Sequence, residues 1–261
     1  MIAWKPVHST TLDSALERCI RPALAGLNSL CPPSEAPAIA LMIGMPSPAE
    51  MSDLARNGIP FVLLAAPPWP DREMSRMIIA RAAGVAILDS RELQHRTELC
   101  AATLLHPIGL GAPLPEAGNG GVRAAVGGRQ LMEKLLDEFP GLVRDDPGTP
   151  AACLVGGGGI ADLAAARCAW ADGAYVLGLP GCGYQSELRE GGALLCDSVA
   201  EAEEAVRLLS PSAPLRRALS RRGRRALQAA PTATKIAEQL LEVLAAASAN
   251  TAHQTESTSR A

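Results

Sequence analysis

The chain has 261 residues, 48% hydrophobic and 20% charged, with a formal net charge of −3. That length supports one large α/β domain or two smaller ones whose cores need no covalent staple. The net charge gives no general attraction to nucleic acid or an anionic membrane, and 3% aromatics leaves no stacking platform for single strands. Seven cysteines lie at 19, 31, 100, 153, 168, 182 and 196 with no Cys-x-x-Cys pair. This spacing argues against zinc, iron–sulfur and disulfide frameworks and for a reducing cytoplasm. No apolar run is long enough to span a bilayer, and the start lacks a signal-peptide core.

In chain order, residues 1–37 read as a lead-in, with a helix from Thr11 to Leu27 and a Pro-rich linker from Cys31 to Pro37. A strand–helix rhythm follows. Ala38–Ile43 reads as a strand, and Ser47 caps a helix that stops at Gly58. Ile59–Ala65 is a second strand, Glu73–Ala83 a helix and Val85–Asp89 a third strand. Ser90–Cys100 reads as a helix with Glu92 in its first turn. The Pro- and Gly-rich loop from His106 to Arg123 is the expected domain boundary.

Beyond the loop, Gly128–Phe139 reads as an amphipathic helix and Ala151–Val155 as a strand closed by Gly156–Gly159. Asp162–Ala171 is a helix, and Ala174–Leu179 and Ala193–Cys196 are strands. Three helices then span Val199–Leu209, Pro214–Ala229 and Thr232–Ala247, and the polar residues 248–261 are expected to be disordered. The pattern predicts an α/β fold with parallel sheets covered on both faces. It divides into an N-terminal part over 38–115 and a C-terminal part over 120–247.

The most informative stretch is Gly173–Asp197, GAYVLGLPGCGYQSELREGGALLCD. Ligands of open α/β sheets sit outside the carboxyl ends of the strands. Gly181 and Gly183 put bare backbone there, and Glu187 follows within a turn. Glu187 and Glu190 suit sugar hydroxyls or simply complement a helix dipole. Gly156, Gly157 and Gly158, between a strand and a helix, suit either a phosphate cradle or a ligand-free tight turn. Arg129 and Lys134 are cations able to offset a diphosphate or to face solvent. Arg216–Arg225, with six arginines on one helix, reads as a solvated face or a polyanion contact. His95 and His106 have no acid or cysteine arranged as a triad, and no Gly-x-Ser-x-Gly elbow supports acyl transfer.

From Gly173 onward the segments CAWADG, AYVLGLPGCG, SELREGGALL, AEEAVRLL and PLRRALSRRGRRAL resemble, in order and spacing, the C-terminal domain of retaining glycosyltransferases with the GT-B fold. Upstream, GIPFVLLAAPPWP, ARAAGVAILDSRELQHR, HPIGLG, GGRQLMEKLLDEF and LVGGGG follow the same family in order. The resemblance implies two Rossmann-like parallel-sheet halves with the N-terminal half reduced. It also implies a nucleotide-sugar donor, a glycan or lipid-linked acceptor, and no cofactor or metal. By that resemblance the donor is held by Gly156, Gly157, Gly158, Arg129, Lys134, Gly181, Gly183 and Glu187. The family's paired glutamates, with seven residues between them, fall on Ile160 and Cys168.

Two other readings remain open at this level. One keeps the fold and binds a sugar nucleotide or a partner chain without turnover, as Ile160 and Cys168 suggest. The other is a flavin-dependent TIM barrel, because LVGGGGIADLAAARCAWADGAYVLG also resembles the phosphate-binding run of nitronate monooxygenases. A second copy of the chain or a partner chain is left open as well.

Overall fold

The computed structural model describes residues 2–10, 12–67, 69–89, 91, 97–102, 104–115, 123–124, 152–209 and 211–258, with residues 123–124 and 252–258 described by backbone only. The chain forms two compact units. The first joins Met1–Gly111 to Pro231–Ala261, and the second is Ala112–Ala230.

The first unit is built on a five-stranded sheet in the order β1-β2-β3-β4-β5, parallel throughout. The strands are β1 (Trp4–His8), β2 (Ile39–Ile43), β3 (Phe61–Ala65), β4 (Gly84–Ile87) and β5 (Leu105–Pro107). The three central strands are buried along their whole length, as parallel strands covered on both faces must be. On one face Ala40, Met42, Leu63, Ala65, Val85 and Ile87 join one apolar core with Met51 and Leu54 of α2 (Pro48–Arg56) and Ile78 and Ile79 of α3 (Arg72–Arg81). Leu99, from a 3-10 helix at Thr97–Ala101, completes it.

The opposite face packs against the last helix, α8 (Ala233–Thr258), and α8 packs against α1 (Ser14–Leu30). Gly84 of β4 lies against Val243 and Ala247, and Gly26 of α1 against Ala237.

Local chemistry explains the helix starts. Asp13 caps α1, accepting from the Ala15 and Leu16 amides at 2.9 and 3.2 Å. Ser47 and Glu50 form a reciprocal capping box at α2, and Asp71 caps α3 through the Met74 amide.

The second unit holds a parallel sheet in the order β6-β7-β8-β9. Its strands are β6 (Arg123–Ala124), β7 (Ala152–Val155), β8 (Tyr175–Gly178) and β9 (Leu194–Leu195). The helices are α4 (Ile160–Ala171), α5 (Gln185–Glu190), α6 (Val199–Leu209) and α7 (Ala213–Leu227). Leu154, Tyr175, Leu177 and Leu179 pack with Ala202, Val206 and Leu209 of α6. At the α4–α7 crossing, a Cβ on Gly223 would lie 2.1 Å from the Trp170 ring, so only glycine permits that approach.

The expected fold class, two Rossmann-like parallel-sheet halves, is what the chain forms. The barrel reading is overturned: eight strands do not close in a ring, because the described strands make two separate open sheets.

Four further expectations need correction. Residues 1–37 are not a bare lead-in: they supply an edge strand and a helix of the first unit. Trp4 is fully buried there, and its indole N–H donates to the Cys31 carbonyl at 2.8 Å. Residues 233–247 do not belong with the C-terminal half, because the apolar side of α8 covers the first sheet. The tail is helical through Thr258 rather than disordered, since extending an existing helix needs no new nucleus. His106, expected in a loop, lies on β5. The expected helices at Ser90–Cys100 and Gly128–Phe139 fall largely and wholly, respectively, outside the described residues, as do His95 and Glu92.

Candidate functional site

The second unit brings two glycine loops together at the carboxyl ends of β7 and β8. The first, Gly156 to Gly159, leads from β7 into the N-terminus of α4. Gly158 and Gly159 have φ of +78° and +74°, a left-handed region that residues with a side chain rarely adopt. The second runs from Leu179 to Tyr184 between β8 and α5. It is set by the Leu179 amide donating to the Val155 carbonyl at 2.7 Å and by the Cys182 amide donating to the Leu179 carbonyl at 3.1 Å. The loops touch: a Cβ on Gly183 would lie 2.4 Å from the Gly159 nitrogen.

What joins them is Asp162, in the first turn of α4, with 0% exposure. Its Oδ1 accepts from the Gly157 amide at 2.9 Å. Its Oδ2 accepts from the Gly158 amide at 2.8 Å and from the Gly183 amide at 2.8 Å. A buried carboxylate requires such donors, and bonds to a charged acceptor are the strong ones. The positive end of α4 favours the negative charge further.

Of the expected donor-binding residues, Gly157, Gly158 and Gly183 therefore meet in one cluster. Gly156 packs on the Leu179 side chain and Gly158 faces the Gly181 carbonyl. Glu187 stands half-buried in the first turn of α5. Arg129 and Lys134 lie outside the described residues.

The amides expected to cradle a phosphate already serve an internal anion. Among the described residues, the first-turn amides of Ile160 and Ala161 have no hydrogen-bond partner. They are the donors left at this helix end for a ligand.

Asp162 was legible only as a helix-start acid. The signal for its role is an Asp three positions past the last of four glycines. Its third donor, Gly183, is 21 residues away and cannot be read from spacing. The positions of the family's glutamate pair, Ile160 and Cys168, are buried at 2% and 6% exposure.

Two thiols border the loops. Burial and then the Asp162 charge push the Cys182 thiol above its ordinary range. Burial, with Glu201, Asp197 and Cys182 adding to it, pushes Cys196 up to about 11. Both stay protonated at neutral pH, which removes them as nucleophiles. All seven cysteines are free thiols, and Cys100 alone is exposed. Tyr184, which opens α5, has φ of 58°, the one positive value on a non-glycine residue among those described. Such strain is typical of functional loops. Among the described residues no group of three or more His, Cys, Asp or Glu is placed to hold a metal ion, and no helix is long and apolar enough to cross a membrane.

No family model matches this chain, and no curated protein matches it in sequence. Solved structures do. Sucrose-phosphate synthase from Thermosynechococcus elongatus matches at 14% identity over 78% of this chain and 72% of its own, with a TM-score of 0.50. The Anabaena protein HepE in complex with UDP matches at 10% identity over 94% and 100%, with a TM-score of 0.49. A UDP-forming trehalose-phosphate synthase from Burkholderia xenovorans matches at 10% identity over 86% and 77%, with a TM-score of 0.45. Identities this low speak to the fold alone. On the first of these matches, the chain has the α/β architecture of two GT-B-like Rossmann halves.

Proposed function

We propose that the chain is a glycosyltransferase-like protein whose second unit holds a nucleotide-sugar donor for transfer to a glycan or lipid-linked acceptor. The observation that carries this reading is the meeting of two glycine loops at the carboxyl ends of β7 and β8, over the N-terminus of α4. In an open α/β sheet that corner is where ligands bind.

The donor diphosphate lies at the α4 N-terminus against the Ile160 and Ala161 amides, with Arg129 and Lys134 offsetting its charge. Gly181 leaves room for the ligand, and Glu187 accepts from sugar or ribose hydroxyls. Among the described residues no side chain here is arranged as a general base, so transfer rests on positioning and on stabilising the leaving diphosphate. The protein acts in the cytoplasm, alone or with a second copy.

A second reading, binding without turnover, has its own support. Asp162 already takes three loop amides, and Ile160 and Cys168 are buried where the family motif calls for carboxylates. Calorimetric titration with UDP-, GDP- and ADP-sugars, paired with a donor-hydrolysis assay, separates the two. The first reading expects saturable binding of one donor together with release of its nucleoside diphosphate. Binding without release selects the second reading, and no binding of any donor sinks both.

A further inference from the structure

Helix α7 carries six arginines and no acidic residue, while the other 246 residues hold 18 basic and 27 acidic side chains. The structure divides the six. Arg216 is buried and donates to the Leu209 carbonyl at the end of α6, at 2.8 Å. Arg222 donates to the Arg189 and Glu190 carbonyls at the end of α5, each at 3.2 Å. These two close the C-termini of neighbouring helices, a role that basic side chains suit.

The other four do nothing of the kind. Arg217, Arg221, Arg224 and Arg225 are exposed, and among the described residues none makes a hydrogen bond or ion pair. Arg224 lies over Gly173 at the edge of the helix. Arg217, Arg221 and Arg225 stand four residues apart and form one row, two turns long, along the outer face. Like charges at this spacing weaken a helix, and among the described residues no ion pair offsets that cost.

Every exposed residue of α7 is Arg, Leu, Ala or Pro: the arginine row is joined by Pro214, Leu215 and Ala218, with Leu215 at 55% exposure. No exposed Asn, Gln, Ser or aromatic side chain is present to read or stack on bases. Cationic and apolar groups side by side suit a phospholipid headgroup layer.

We infer that the Arg217–Arg221–Arg225 face of α7 docks the protein on anionic phospholipid surfaces. The inference is independent of any bound donor, since it needs only the outer face of one helix.

Cosedimentation of the full chain with sucrose-loaded vesicles tests it, using phosphatidylcholine alone or with roughly one-third phosphatidylglycerol. Partitioning onto the anionic vesicles is expected, declining steeply as salt rises. Little binding to neutral vesicles should occur. Replacing Arg217, Arg221 and Arg225 by Gln should weaken partitioning about fivefold per residue, with circular dichroism unchanged and a melting temperature equal or higher. The wild-type salt series needs no variant and stands on its own. Equal binding to neutral vesicles, salt-insensitive binding, or a triple variant that partitions like wild type overturns the inference. So does tighter binding to a single-stranded RNA oligonucleotide than to the anionic vesicles.

Discussion

Asp162 accepts three amide hydrogen bonds with none of its surface in water, so its replacement strands donors as well as losing an acceptor. Asp162→Asn keeps the shape but turns an amide NH2 toward at least one of those N–H groups. The expected cost is about 2–4 kcal/mol of stability. Urea unfolding should show it as a lower midpoint at unchanged slope. A shift within about 0.5 kcal/mol would mean that the cluster contributes nothing net to stability. Four glycines between a strand and a helix point to the corner, and Gly183 is recognisable as bare backbone. That both serve one carboxylate depends on tertiary contact between loops 21 residues apart. The same holds for Arg216 and Arg222, whose carbonyl partners lie on other helices.

Among the elements, β2, β3, β4, β7 and β8 are readable because parallel strands buried on both faces leave unbroken apolar runs. Strand β1 is not. WKPVH mixes Lys, Pro and His into an edge strand with one buried residue, Trp4, and Pro is tolerated there because an edge leaves ladder donors unpaired. Helix packing adds a test. Glycine inside a helix ordinarily loses about 1 kcal/mol to alanine. At Gly223 the sign should reverse, because the new Cβ would sit 2.1 Å from the Trp170 ring and push α7 off α4. A net loss of about 1–3 kcal/mol is expected for Gly223→Ala. It should appear as a lower melting temperature with a perturbed near-ultraviolet tryptophan band. A higher melting temperature would show that the crossing has room to spare.

At the scale of the whole molecule, the chain leaves the first unit at Gly111 and returns to it at Pro231. The returning helix buries Ile236, Leu240, Val243 and Leu244. Four such side chains are worth about 6–12 kcal/mol, comparable to the whole stability of a domain. A chain ending at Ala230 should therefore lose amide-exchange protection across β1–β5 while β7 and β8 keep theirs. Retained protection in β2–β4 would show that α8 is dispensable to the first sheet. Its place in the first unit is not legible in the sequence, because chain order and composition carry no record of which sheet an amphipathic helix will cover.

That return has a consequence during synthesis. Even the last strand of the first sheet, β5, emerges from the ribosome about 150 residues before the end of the helix that shields one face of that sheet. At roughly 5–20 residues per second, the nascent sheet waits on the order of ten seconds with Leu41, Ile43, Val62 and Leu64 uncovered on α8's side. The inserted unit, whose residues are contiguous, completes itself in that interval. The order of birth makes the first unit's sheet the later of the two units to become native, and the one more in need of a chaperone's protection.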